Sequence, residues 1–269
     1  MNNLTVKEMQ NVLGKNELML QIRDLQIENE MLKQRLNKDK VKRNAKAHTV
    51  YRLADGTVVP GTTTITGLKD KSGMLVPWAN KLGLEGIDST RYTDNAAAIG
   101  TLAHSMVQAH LQKEVLDMKQ YAPEQIDLAE NSLLSYFEWE KQHVIEPIAC
   151  EQRFVSEELR YGGTIDCYCM LDGVPTLLDF KTSKSIYDEH LMQLAAYKHL
   201  IEEKELPVER CMILRIGRDE TEGFEIRSVS DTRLLFLMFQ DLLNHYYHEK
   251  EYKAQKNAEK KSMKGDTKK

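Results

Sequence analysis

Residues 161–197, YGGTIDCYCMLDGVPTLLDFKTSKSIYDEHLMQLAAY, constrain this chain more than any other stretch. After Gly162-Gly163, residues 164–170 mix β-branched, aromatic and small apolar side chains and read as a strand. Asp172-Gly173 is a hairpin turn signal, and residues 175–182 read as the returning strand. A period of two then puts Asp179 and Lys181 on one face and Leu178 and Phe180 on the other. The turn brings Asp166 toward Asp179 and leaves their register open. Residues 183–185 lead into a helix over residues 187–204, with Asp188 and Glu189 at its positive end. Gln193 and Tyr197, four apart, share one face of that helix.

Two carboxylates and a lysine on adjacent strands have a chemical use. Hard divalent ions bind carboxylate oxygens, acidify a water and offset charge on a phosphoryl oxygen. Asp-x-Lys by itself is common by chance and most often faces solvent on a surface hairpin. The order Gly-x-x-Asp, turn, Asp-x-Lys, Gln-x-x-x-Tyr is a more specific pattern. It resembles the PD-(D/E)XK nuclease superfamily, in particular the RecB-like and phage exonuclease branch, and is similar to the mitochondrial genome maintenance exonuclease. The resemblance rests on residues 163–166, 179–181 and 193–197. It extends upstream to Gly100-Thr101-Leu102-Ala103-His104, which is similar to the family's Gly-x-x-x-His element, and to the threonine-rich start and Trp78 that precede it.

The resemblance implies an α/β fold with a restriction-endonuclease-like core, a mixed central sheet flanked by helices. It implies Mg²⁺ or Mn²⁺ held by Asp166, Asp179 and the main-chain carbonyl of Phe180. Lys181 would position the attacking water, and His104 would add a ligand or a phosphate contact. Gln193 and Tyr197 would steady the site or the DNA backbone, and Glu151, on a strand at residues 149–155, is the candidate for an upstream supporting acid. Some relatives carry an iron–sulfur cluster. Here Cys150, Cys167, Cys169 and Cys211 lack the required spread, so no cluster is expected, and they read as buried free thiols in a reducing cytoplasm.

The chain holds 269 residues, enough for one sizeable core plus appendages. No run is long and apolar enough for a membrane span, and the polar N-terminus does not read as a secretory signal. Net charge is −4, which by itself does not point to nucleic acid. The basic residues gather instead over residues 33–46 and in the tail from Lys250, where they either follow phosphates or merely solubilise.

Four segments are expected: a helix over residues 1–40, a basic linker at 41–48, a nuclease domain at 49–249 and a lysine-rich flexible tail at 250–269. In the first, Leu18, Leu25 and Leu32 fit heptad d positions and Ile22, Asn29 and Leu36 fit a positions. Residues 18–36 therefore read as a short coiled coil that forms a homodimer, against the plainer reading of a helix packed on its own body. A small hairpin turns at Asp55-Gly56. Helices are expected at residues 96–113 and 123–143, strands at 208–216 and 224–229, and a final apolar helix after Ser230-Asp231.

The expected activity is metal-dependent exonuclease cleavage of linear DNA from free ends, in phage or bacterial recombination, repair or replication. The alternative is a catalytically inactive DNA-binding scaffold on the same fold, dimerised by its coil.

Overall fold

The computed structural model describes residues 49–219 and 221–266. The heptad segment at 18–36 and the linker at 41–48 lie outside the described residues. In chain order the elements are β1 (Tyr51–Arg52), β2 (Val58–Val59), α1 (Thr62–Thr66), α2 (Ser72–Leu84), α3 (Ser89–Gln112), α4 (Pro123–Glu140), β3 (Ile145–Ser156), β4 (Tyr161–Leu171), β5 (Val174–Lys181), α5 (Asp188–Glu202), β6 (Arg210–Ile216), β7 (Phe224–Val229) and α6 (Arg233–Asp266).

The β4–β5 hairpin sits at the centre of a five-stranded sheet of order β3-β4-β5-β6-β7. Asp172 and Gly173 close it with φ of 52° and 79°, the pair of positive angles a type I′ turn needs. Asp172 also accepts the Val144 N–H at 2.8 Å and meets His143 Nδ1 at 2.7 Å, which ties the turn to the chain entering β3. Every neighbouring pair is antiparallel except β5–β6, where α5 provides the crossover that parallel strands require.

Helices cover both faces of the sheet. Leu178 and Phe180 of β5, with Met212 and Leu214 of β6, pack against Ile99, Leu102 and Met106 of α3 and Leu133 and Phe137 of α4. Leu177 and Ile213 point the other way, into a cluster with Leu194, Leu200 and Ile201 of α5 and Phe239 and Leu243 of α6. The split of Leu177 from Leu178 is the period-two alternation expected of β5.

Several bounds differ from those expected, for physical reasons. β3 is longer because its whole length pairs with β4. α3 begins earlier because Asp88 caps it, accepting from Thr90 N–H at 2.8 Å and Arg91 N–H at 3.2 Å. α6 is broadly apolar, but its buried stripe is Phe239 and Leu243, while Leu234, Leu237 and Met238 face outward. The segment from Lys250, expected as a flexible tail, continues α6 as helix to Asp266. It is rich in Lys, carries no proline, and is joined to the preceding turn by a Lys253–Glu249 pair at 2.7 Å.

Candidate active site

β4 and β5 stay paired from Leu171↔Val174 to Cys167↔Leu178 and then part. One more step would set Asp166 opposite Asp179, so these two carboxylates stand where the strands separate. The Phe180 N–H, left without a ladder partner on β4, donates to Asp166 Oδ2 at 2.8 Å. N–H and C=O of one strand residue point to the same side, so the Phe180 carbonyl also turns toward this gap.

The alternation of β4 changes phase at Asp166. Tyr161 and Ile165 join the α5 side of the sheet, whereas Cys167, Cys169 and Leu171, of the same parity, join the α3–α4 side. Across from Asp166, between the pairs Cys150↔Cys167 and Gln152↔Ile165, lies half-buried Glu151 with a left-handed φ of 50°. Strain of this kind in a non-glycine residue gathers at functional sites. The strand expected at residues 149–155 is therefore irregular at Glu151.

Asp179 is wholly buried, and its Oδ1 accepts no hydrogen bond from the protein. Its Oδ2 lies 2.6 Å from Lys181 Nζ, a buried ion pair. His104 Nδ1 is 3.5 Å from Asp166 Oδ2. Gly100 sets that distance: a Cβ there would come within 2.6 Å of Thr182 Oγ1, so glycine lets α3 close on the end of β5 one turn before His104.

The electrostatics follow from burial and from these neighbours. Burial pushes the Asp179 carboxyl up to about 6; Lys181 opposes the rise and Asp166 adds to it. Burial also works to raise Asp166, but His104, Lys181 and the Phe180 N–H outweigh it and hold the group at about 2. For Lys181, burial acts downward, and Asp179 and Asp166 together hold the ammonium above its usual value. The cluster is one cation between two acids of unequal proton affinity.

Gln193 Nε2 donates to Tyr197 Oη at 2.7 Å, and burial followed by the charges of Asp179 and Asp166 raises the Tyr197 phenol well above its usual value. This pair therefore sits beside the carboxylates. Gly162-Gly163 make room for it: a Cβ at Gly163 would lie 2.5 Å from the Tyr197 ring, and one at Gly162 2.5 Å from the Tyr51 ring.

Asp166, Asp179, Lys181, His104, Phe180, Gln193 and Tyr197 thus occupy one neighbourhood, with Glu151 at its β3 edge. Sequence reasoning missed Tyr51, whose hydroxyl lies 2.9 Å from Thr164 Oγ1, and Thr62, which donates to the Gly162 carbonyl at 3.0 Å. It also missed His190, driven down to about 4 by burial and by the Lys181 charge. The paired glycines announced that something packs closely on them, but not which residues.

Asp179 Oδ1 has no protein donor and Oδ2 meets Lys181, so the buried carboxylate keeps acceptor capacity that fits a divalent cation. Among the described residues, no three of His, Cys, Asp and Glu enclose an ion by themselves.

No family model and no curated protein sequence matches the chain. No helix among the described residues is long and apolar enough to cross a membrane. Among solved structures, the alkaline exonuclease LHK-Exo from Laribacter hongkongensis aligns over 49% of this chain and 71% of its own, with 9% identity and a TM-score of 0.36. The same enzyme in complex with dAMP aligns over 76% and 93%, with 8% identity and a TM-score of 0.41. The crystal structure of SSO0001 aligns over 54% and 72%, with 15% identity and a TM-score of 0.28. The chain is similar to these three structures at a distance.

Proposed function

We propose that the chain is a PD-(D/E)XK nuclease, a divalent-metal-dependent exonuclease that hydrolyses DNA phosphodiesters from free ends in phage or bacterial recombination, repair or replication. The observation that carries the reading is the meeting of Asp166, Asp179 and Lys181 where β4 and β5 part, with Asp179 wholly buried and its Oδ1 without a protein donor. Asp166, Asp179 and the Phe180 carbonyl would hold the ion, and His104 beside Asp166 would add a ligand or a phosphate contact. Mg²⁺ or Mn²⁺ bound there supplies positive charge that polarises a phosphoryl oxygen and acidifies a water.

The rest falls to side chains of this chain. Lys181 orients the attacking water and faces the negative charge that develops on the phosphorus centre. Asp166, kept ionised by its neighbours, remains a charged acceptor across the neutral pH range. The Gln193–Tyr197 pair fixes the wall against which the scissile strand rests. Dimerisation through residues 18–36 belongs to the same proposal, and light scattering on the full chain and on a chain lacking those residues checks it. Equal masses remove the dimer.

End-labelled linear DNA and closed circular DNA, each with Mg²⁺, Mn²⁺ or EDTA, test the activity. The expected result is degradation of linear DNA alone, blocked by EDTA and lost in Asp179→Asn. Circular DNA cut as fast as linear DNA removes the exonuclease reading, and normal cleavage by Asp179→Asn removes the site.

A further inference from the structure

The carboxyl ends of the parallel strands β5 and β6 open onto a cavity of about 440 Å³, within the size range of small-molecule pockets. Lys181 pairs with Arg215 across these strands, so Lys184 and Arg218, three residues further on in each, emerge at the same edge of the sheet. In α/β folds, ligands collect outside the carboxyl ends of parallel strands. Ile99 of α3 and Leu128 of α4 give the cavity an apolar floor. Ile99 also adjoins Gly100, which packs on Thr182, so the cavity borders the end of β5 that carries Lys181.

Two planar groups line it. Tyr92 is 36% exposed, lies edge-on to Trp78 at 5.8 Å between ring centroids, and has Lys184 Nζ 6.0 Å from its own centroid. Arg218 is clamped by Glu222, its Nε donating to Oε2 at 2.9 Å and a second guanidinium nitrogen bonding Oε1. A guanidinium held in one plane is a surface on which a flat ring stacks. Asn95 also lines the cavity; its Oδ1 accepts from Gln125 Nε2 at 2.6 Å, so what it offers a ligand is its NH₂ group.

Charge narrows the choice of occupant. Lys184 and Arg218 are offset by Asp219 and Glu222, so the cavity as a whole does not suit a cluster of phosphates. It suits a flat, largely neutral heterocycle with one phosphate near Lys184. We infer that this cavity takes one unpaired nucleobase of the substrate strand, so that the strand reaching Asp166, Asp179 and Lys181 is single-stranded at this point. The inference rests on the proposed nuclease reading and adds to it a base-binding subsite.

The test is binding without cleavage. The full-length protein in EDTA is titrated with a short oligothymidylate and with a blunt duplex of equal length, followed by Trp78 emission and fluorescence anisotropy, with Trp78→Phe as the optical control. Oligothymidylate is expected to quench Trp78 and to bind more tightly than the duplex. Tyr92→Ala is expected to weaken binding about tenfold or more, and Tyr92→Phe to restore it. Lys184→Ala is expected to lower the salt dependence by about one phosphate contact. The partial exposure of Tyr92 keeps its replacement out of the core, and an unchanged Tm verifies that. Wild-type affinity in both Tyr92→Ala and Lys184→Ala overturns the inference, as does a duplex that binds and quenches equally well. Since EDTA suspends any cleavage, a protein that binds through Tyr92 yet never degrades DNA sinks the nuclease reading and upholds the pocket.

Discussion

Replacing Asp179 by Asn should make the metal-free protein more stable while ending any catalysis. The wholly buried Asp179 carboxyl titrates at about 6 in the fold, against 3.8 for the free group. The cause is burial first, eased by Lys181 and worsened by Asp166. Over that window the native state holds a proton that the unfolded chain has released, so stability falls as pH rises from 3.8 to about 6. The difference of about two pH units corresponds to about 3 kcal/mol lost once the group is ionised. Asn keeps the shape and has no charge to bury. The variant should therefore match wild type below about pH 4 and exceed it above about pH 6 by at most about 3 kcal/mol, since it also takes the Asp179 charge away from buried Lys181. For a chain of this size that is a Tm difference on the order of 10 °C. Urea unfolding in EDTA across this pH range, followed by circular dichroism, measures it. All other carboxylates titrate in both proteins, so the pH-dependent gap reports the Asp179–Lys181 pair. Added Mn²⁺ should stabilise wild type more than the variant, because an ion held by Asp179 binds only the native state. A variant less stable than wild type at neutral pH, or a gap that ignores pH, would refute the reasoning.

Lys181→Ala is a poorer probe, because it strips the counter-charge from a buried acid; a loss of about 3–5 kcal/mol is expected in urea unfolding near neutral pH. Gly100→Ala should drive α3 off Thr182 Oγ1, now 2.6 Å from the added Cβ, and lower kcat by displacing His104; adding Thr182→Ala should recover much of the rate. Gly163→Ala places a Cβ 2.5 Å from the Tyr197 ring and should cost about 1–3 kcal/mol by overpacking, read as a drop in Tm. At the hairpin, Asp172→Asn should keep a higher Tm than Asp172→Val, since a β-branched side chain resists a φ of 52°.

What the sequence alone shows shares one property: it is set by neighbours a few residues apart. Asp172-Gly173 makes its own turn. Strand periodicity puts Asp179 beside Lys181, and helix periodicity puts Gln193 beside Tyr197. The final helix was legible as apolar, but not the phase that buries Phe239 and Leu243 and leaves Leu237 outside, because its apolar residues nearly encircle it. Its extension past Lys250 was hidden by charge, which suggests a loose tail although the residues are good helix formers.

The site needed the fold. The parting of β4 from β5 after Cys167↔Leu178, the phase change at Asp166 and the left-handed Glu151 across from it depend on how three strands twist together. Tyr51 and Thr62 reach Gly162 and its neighbours from about a hundred residues away in the chain. Tyr92, Lys184 and Arg218 share no spacing at all and meet only where the end of the parallel pair β5–β6 comes up against α3. Local sequence decides which way a side chain points; long-range packing decides what it faces, because that is where the burial energy of distant segments is gained.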